Sequence, residues 1–535
     1  MLPCVGILLH LGILNEIRFL MRRQFLYLLS FLEGGSVMVA ELVGAKMLAP
    51  WFGTSLYVWA AVLGITLGGL MSGYFLGGVL TRKYPRNEVL LYSILLCAGF
   101  FLVLMPVSGP WIMELCLDFD LQTGAVISLL VFMFPPLVFM GMTSPVIIHL
   151  LTEEADGAGN SAGNVYAIST LGGILLTFLL GFYIIPAFGI SKPAILTGIV
   201  LAFFPAIALL KRMGPKAALP VLLPLLFAGV GFNSSEKFSP EYQVRYESEG
   251  IFGQLKVVDH PSYEITPDAR MARALVVNNT MQTLVGLDND LQYSVWSWAN
   301  YMPSAASIFP KGSKVLVLGL GGGTLVKQLL RMGFEVEAVE IDKRIHEVSI
   351  QYFNMPAEVP VTIDDARHFL ETCDKRYDII IYDTFLGEAV PEHLLTVEGF
   401  NTAKNLLSPD GLIMVNFYGF IHGKFGAAAR SVYKTFVECG FETEIMATPG
   451  KEENRNLIFL ASLEEKDFSN TNYSEPGFEP LNDLYMSFLN PNQIDTSDAM
   501  VLSDDKPVLS KMYAPAAMHW KRSYNAYYRK HFLKK

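Results

Sequence analysis

The chain has 535 residues, 52% of them hydrophobic and 17% charged, with a mean hydropathy of +0.37. That combination excludes an ordinary soluble globular protein, a disordered chain and a nucleic-acid binder with a basic footprint. Residues 1–232 hold 11 Lys and Arg against 10 Asp and Glu, and the rest of the chain holds the other 29 and 40. The net charges are +1 and −11, so the composition predicts two surroundings, a bilayer and water.

Residues 1–24 form an N-terminal segment whose short apolar start, 1–14, lies ahead of Arg18, Arg22 and Arg23, without the charge order of a signal peptide. A transmembrane domain is expected over 25–232. Its apolar runs cover 25–49, 57–80, 89–107, 124–150, 165–185, 194–210 and 217–232, about seven spans, most near the ~20 residues that cross a ~30 Å hydrocarbon core. Basic residues cluster at Arg18/Arg22/Arg23, Arg82/Lys83/Arg86 and Lys211/Arg212/Lys216, which one orientation places on a single face, cytoplasmic by the positive-inside rule. The run 217–232 is short and carries Pro220 and Pro224, so it reads either as a last crossing or as re-entrant. On substrate grounds the soluble half is expected in the cytoplasm, on a multi-pass protein of the cell inner membrane. Glu41 and Lys46 lie near one interface and can snorkel, whereas Glu33 lies deeper, where an ionisable group points to function.

Residues 233–241 read as a polar linker and 242–305 as a small β subdomain. From 306 to 465 strands alternate with helical patterns: 314–320, then TLVKQLLRM, 336–342, KRIHEVSIQYF, 361–363, ARHFLETC and 377–383. A helix near 402–407, the strand GLIMVNF, a helix over 427–439 and apolar runs at 442–447 and 456–461 follow. This is the pattern of an α/β doubly wound, Rossmann-type domain of the class I methyltransferase-like kind with a parallel sheet, whose ligands bind at the carboxyl ends of the strands. Residues 466–535 form a C-terminal extension whose aromatic and basic tail reads as a partly packed helix or a membrane-surface segment.

The strand ends hold the candidate site. Gly319, Gly321, Gly322 and Gly323 follow the first strand, Glu340 ends the second about 20 residues on, Asp364, Asp365 and Ala366 end the third, and Asp383 ends the fourth. Glycines allow a ligand close to the backbone at a helix N-terminus, and the second acid suits a ribose diol. An NAD site would want glycine where Thr324 stands, and does not need the third acid, so an S-adenosyl ligand is favoured. His346, His368 and His393 lack metal-ligand spacing and no metal site is expected. The five cysteines are dispersed and argue against a disulfide framework.

The motifs VLVLGLGGGTL (315–325), VEID (339–342), DDAR (364–367), YDIIIYDTF (377–385) and VPEHLLT (390–396) resemble the spermidine synthase (polyamine aminopropyltransferase) family. More closely, the chain resembles the membrane-fused, spermidine-synthase-like branch. Tyr242 and Gln243 and residues 278–282 resemble that family's N-terminal β domain, residues 503–507 a late motif of the fused proteins, and YAISTLGG (166–173) agrees in form. The resemblance implies aminopropyl transfer from decarboxylated S-adenosylmethionine, a co-substrate rather than a tightly bound cofactor, to an amine such as putrescine, with release of methylthioadenosine. It assigns Asp383 as base, Glu340 to the ribose, Asp365 beside Ala366 to the adenine, Gln243 to the nucleoside and Tyr293 to the amine pocket. Three positions depart from the family: Leu386 stands for its second aspartate, Gly322 for the aspartate of the glycine loop, and Ser294 for the His or Gln after Tyr293. Glu388 is near enough in sequence to replace one of them. Another S-adenosyl-dependent transferase, such as a methyltransferase, or a transporter or sensor with a nucleoside- or polyamine-binding domain stays open as an alternative. The expected partners are the lipid bilayer, a small-molecule amine and a second copy of the chain as a homodimer, with no nucleic acid.

Overall fold

The computed structural model describes residues 2–53, 56–152, 157–233, 239–262, 271–288, 291, 293–384, 390–469, 471, 473 and 484–531. The chain divides into two compact units, the first formed by residues 1–236 with 249–251, the second by 237–248 with 252–535.

The first unit is helical: α1 (Leu2–Phe52), α2 (Leu56–Lys83), α3 (Glu88–Leu115), α4 (Leu121–Phe132), α5 (Phe134–Leu151), α6 (Ala158–Leu179), α7 (Ile185–Phe188), α8 (Ser191–Met213) and α9 (Ala218–Asn233). The N-terminal segment 1–24, set apart in the sequence, belongs to the same helix as the first span. The run 124–150 breaks at Met133 into α4 and α5, because prolines at the first turn of α5 cannot donate the hydrogen bonds that would continue α4. Among the described residues, six stretches are long and apolar enough to cross a membrane. The last of them, Ser191–Phe232, has 42 residues, roughly 60 Å at 1.5 Å per residue, twice a hydrocarbon core. It is a hairpin. A 3₁₀ turn (Gly214–Ala217) starts at Gly214 with φ +59°, and α9 then runs back along α8 until Gly231 lies against Ile195 and Val107. The bundle is therefore traversed seven times.

Neighbouring contacts fix the direction of each traverse. Gly44 lies near Met105 and Gly109 near Met47, so α1 and α3 run parallel; Gly99 meets Gly198 and Ala202, and Gly198 meets Val103, so α8 runs against α3. Phe25 packs edge-on against Phe204 at 5.8 Å. Arg212 pairs with Glu88 and lies over the Tyr92 ring at 5.7 Å. Arg23, Arg82, Lys83, Arg86, Lys211, Arg212 and Lys216 thus share one end of the bundle. Gly231 and the end of α9 lie at the other.

The second unit begins with a four-stranded antiparallel sheet, β1 (Gln243–Gly250), β2 (Gly253–Pro261), β3 (Met271–Val277) and β4 (Thr280–Gly286), in sequential order. Asn278 and Asn279, with φ of +49° and +63°, make the two-residue β3–β4 turn that suits a twisted hairpin. After α10 (Tyr301–Ala306) come β5 (Lys314–Leu318), α11 (Thr324–Arg331), β6 (Glu335–Glu340), α12 (Lys343–Phe353), β7 (Val361–Ile363), α13 (Ala366–Thr372), β8 (Tyr377–Tyr382), α14 (Val397–Leu406), β9 (Leu407–Tyr418), α15 (Ala427–Glu438), β10 (Glu442–Ala447), β11 (Asn456–Ser462) and α16 (Leu509–His531).

Seven of these strands form one sheet in the order β10-β11-β9-β8-β5-β6-β7. The sheet is parallel except for β11, which enters antiparallel between β9 and β10, a departure from the all-parallel reading. Val315, Val317, Ile379 and Ile381 face one core, and Leu316, Leu318, Ile380 and Tyr382 the other. Apolar residues on both faces explain why β5 and β8 read as continuous hydrophobic runs. The strand order is that of the class I methyltransferase-like, Rossmann-type fold, preceded by its small β sheet. Strand order reverses between β5 and β8, which opens a crevice at their carboxyl ends.

The C-terminal extension does not stand apart. In α16 Leu509, Tyr513, Ala516, Trp520 and Lys521 are buried, the Tyr513 hydroxyl donates to the Tyr418 carbonyl at 2.9 Å, and Lys521 Nζ donates to the Asn278 carbonyl at 3.2 Å. The helix is packed onto its own domain.

Candidate active site

The glycine loop is shaped by close approaches on both sides. Gly319, with φ +89°, donates its N–H to the Val339 carbonyl at 2.8 Å, and the Asp383 N–H donates to the Leu318 carbonyl at 2.8 Å. These bonds carry the ladder past the strand ends, so a side chain at 319 would collide with the Asp383 backbone. Gly322 donates its N–H to Thr283 Oγ1 at 2.8 Å, from β4 of the small sheet. A Cβ at 322 would lie 2.7 Å from Thr283 Cγ2 and 3.0 Å from Phe353 Cδ1. A side chain at 322 would therefore meet Thr283 and Phe353, which fill that space. Gly323, left-handed at φ +72°, is the residue before α11.

Glu340, 6% exposed, is held by two backbone amides. Its Oε2 accepts from Leu320 at 3.0 Å and its Oε1 from Asp342 at 2.9 Å. Burial pushes this carboxyl up to about 7, although the two amides pull the other way. Asp342 caps α12 and clamps Arg344 at 2.6 Å, which fixes the turn in which Glu340 sits.

Asp365 caps α13, its Oδ1 accepting from the Arg367 and His368 amides at 2.8 and 3.3 Å. Its other oxygen lies 3.4 Å from His393 Nε2. Ala366 opens the helix beside it. Asp364 bonds His368 Nδ1 at 2.6 Å, which raises the histidine's affinity for a proton. Arg367 ties the late motif to this corner: its guanidinium donates to the His393 carbonyl at 2.7 Å and to Asp504 at 3.0 Å, and Thr396 donates to Asp504 at 2.7 Å. Glu392, of the VPEHLLT motif, accepts from the Leu509 amide and the Ser510 hydroxyl, both at 2.7 Å, at the start of α16.

Asp383 is half-buried at the end of β8. Asn416 of β9 donates to its Oδ1 at 2.8 Å, and Asn456 of β11 donates to Asn416 Oδ1 at 2.8 Å. Burial raises the Asp383 carboxyl above the ordinary carboxylate range, and the Asn416 bond opposes that shift. A carboxylate so placed can accept a proton from a group in the crevice while its orientation is fixed from behind.

Of the residues picked from sequence, Gly319, Gly321, Glu340, Asp365, Ala366 and Asp383 follow the carboxyl ends of the adjacent strands β5, β6, β7 and β8. Gln243 is exposed at the start of the edge strand β1. Tyr293 lies under the Arg331 guanidinium, 5.1 Å from its ring centre, at the far end of α11 from the glycine loop. Leu386 and Glu388 lie outside the described residues. Sequence reasoning missed Thr283, Asn416 and Asn456. A lone amide inside the apolar run of β9 was the available signal for Asn416; nothing local marked Thr283.

The strand order, the reversal between β5 and β8 and the acids at successive strand ends define a class I methyltransferase-like α/β domain. Residues 302–449 match the spermine/spermidine synthase domain family. Among characterised proteins, the chain is similar to a probable polyamine aminopropyl transferase of Bifidobacterium longum, 26% identical over 291 residues, covering 50% of this chain and 62% of that one. It is also similar to an N-terminal histidine N-methyltransferase of Emericella nidulans, 33% identical over 157 residues and 28% of each chain. The alignments thus span between 28% and 62% of the lengths of these relatives. Spermidine synthase from Thermotoga maritima aligns with 47% of this chain and 85% of its own at 16% identity, with a TM-score of 0.36. Over residues 302–449 the chain is spermidine-synthase-like.

Proposed function

We propose that the chain is a membrane-anchored aminopropyltransferase-like enzyme that moves an aminopropyl group from decarboxylated S-adenosylmethionine to an amine such as putrescine. The observation that carries this reading is Asp383, a carboxylate of raised proton affinity held by Asn416 at the crevice between β5 and β8. In the reaction an acceptor ammonium loses a proton to Asp383, and the freed lone pair attacks the propyl carbon bonded to the sulfonium. The carbon–sulfur bond breaks, its electron pair stays on sulfur, and neutral methylthioadenosine leaves. Glu340 receives the ribose hydroxyls, Asp365 and Ala366 the adenine edge, Gly319 and Gly321 allow the nucleoside against the backbone, and Gln243 adds a nucleoside contact. Tyr293 and Glu388 are the weaker assignments to the amine.

One observation favours methyl transfer as a second reading. The space for an acid at 322, which would hold the donor's terminal ammonium, is filled by Thr283 and Phe353, so nothing at that position selects the decarboxylated donor. Incubating the detergent-solubilised chain with either donor and a panel of di- and polyamines separates the two. Methylthioadenosine supports aminopropyl transfer; S-adenosylhomocysteine with a methylated amine supports the second reading. Donor binding without either product overturns both.

A further inference from the structure

A cavity of about 400 Å³ lies within the helical unit between α1, α2 and α6. Its volume is in the range of small-molecule sites. Glu33, only 2% exposed, lines it and accepts a hydrogen bond from Ser169 Oγ at 3.1 Å. The two meet because Gly34 lies directly on the Ser169 backbone and Gly172 on that of Phe31, a small-residue contact that lets α1 and α6 touch. Tyr74 of α2 lines the same cavity and packs edge-on against Tyr166 at 6.4 Å. None of the twelve lining residues is basic. The hydroxyl-bearing residues of the lining, Ser169, Thr170, Thr177 and Tyr74, carry no charge, whereas an ammonium offsets the charge of a carboxylate removed from water, and a tyrosine face adds a cation–π surface.

We propose that this cavity binds the head group of an amphiphilic monoamine, with Glu33 as its counter-charge. Leu70, Ile174 and Phe178 form apolar walls beside the hydroxyl-bearing Thr170 and Thr177, and Ile174 and Phe178 are 50% and 56% exposed on the outer surface of the bundle, so an alkyl tail leaves toward the lipid. One carboxylate neutralises one charge. A polyamine would leave its second ammonium without an acidic partner in the lining, which excludes it as the occupant. The site is independent of the chemistry of the α/β domain.

The test uses the full chain in phosphatidylcholine nanodiscs with a decylamine bearing a diazirine at its tail. Photolabelling is expected on peptides of α2 and α6, competed by decylamine and at least tenfold less well by decanol or spermidine. Glu33→Gln is expected to weaken competition at least tenfold. Leu70→Trp, which fills the cavity and leaves Glu33 in place, is expected to do the same, so the result does not depend on one variant folding. Equal labelling in wild type and either folded variant, or competition by decanol as strong as by decylamine, would mean that the cavity holds only lipid chains and overturns the proposal.

Discussion

Asn416 presents its side-chain amide to Asp383 Oδ1 at 2.8 Å and is itself held by Asn456, so the orientation of the proposed base is set from two strands away. The sign of the expected pH effect follows. Burial raises the Asp383 pKa and the amide lowers it, so the acid limb of the activity profile lies above the ordinary carboxylate value of about 4. In Asn416→Ala that limb moves further up, with a loss of roughly tenfold or more in kcat/KM. A profile that does not move would remove Asn416 from the site. Asp383→Asn loses about 10²-fold or more in turnover while donor binding persists.

Gly322→Asp will not fit the glycine loop. The new side chain meets Thr283 and Phe353, an overpacking that costs about 1–3 kcal/mol and lowers the thermal midpoint of the α/β domain. Pairing it with Thr283→Ala relieves part of that loss. Thermal melts of both variants check the argument, which fails if Gly322→Asp melts with the wild type.

Glu340 links stability to pH. Its folded carboxyl, raised to about 7, favours the protonated form. Its contribution is therefore fully present below the unfolded value near 4.5 and lost as pH rises through about 7. The difference in unfolding free energy between wild type and Glu340→Gln should shift on the order of 3 kcal/mol across that window. Denaturant melts at pH 4.5 and pH 8 measure it, and a pH-independent difference would contradict the burial argument. If Glu340 receives the ribose as proposed, affinity for the adenosyl donor should rise over the same window as its carboxylate ionises.

Seven traverses separate the basic end of the bundle from the end of α9. If the basic end faces the cytoplasm, as the positive-inside rule predicts, a reporter fused after Lys535 is expected to be active as alkaline phosphatase outside the cytoplasm. One fused in the loop at residue 85 is expected to be inactive in that form. That outcome would reverse the cytoplasmic placement expected on substrate grounds. An inactive C-terminal phosphatase would make α9 re-entrant.

Much of this was legible in the sequence, for identifiable reasons. The strand-end acids and the glycine loop are local patterns, and β5, β6 and β8 announce themselves by apolar runs followed by turn residues. The antiparallel entry of β11 was not legible, since its apolar run is the same in either direction. The filled space at Gly322 was invisible because Thr283 and Phe353 lie about 40 and 30 residues away in the chain. The hairpin of α8 and α9 was ambiguous because a 16-residue helix reaches roughly 24 Å, and only its contact with Ile195 and Val107 shows that it returns along α8. The amine-pocket reading of Tyr293 follows from motif position alone, and the Arg331 guanidinium over its ring is a contact that no local pattern announces.

Lys521 of α16 donates to the carbonyl of Asn278, 243 residues earlier in the chain. At ribosomal speeds of about 5–20 residues per second, the β3–β4 turn emerges roughly 10–50 s before the helix that covers it. For that interval the nascent small sheet must keep its turn without α16, a window in which a chaperone has access that the finished protein denies.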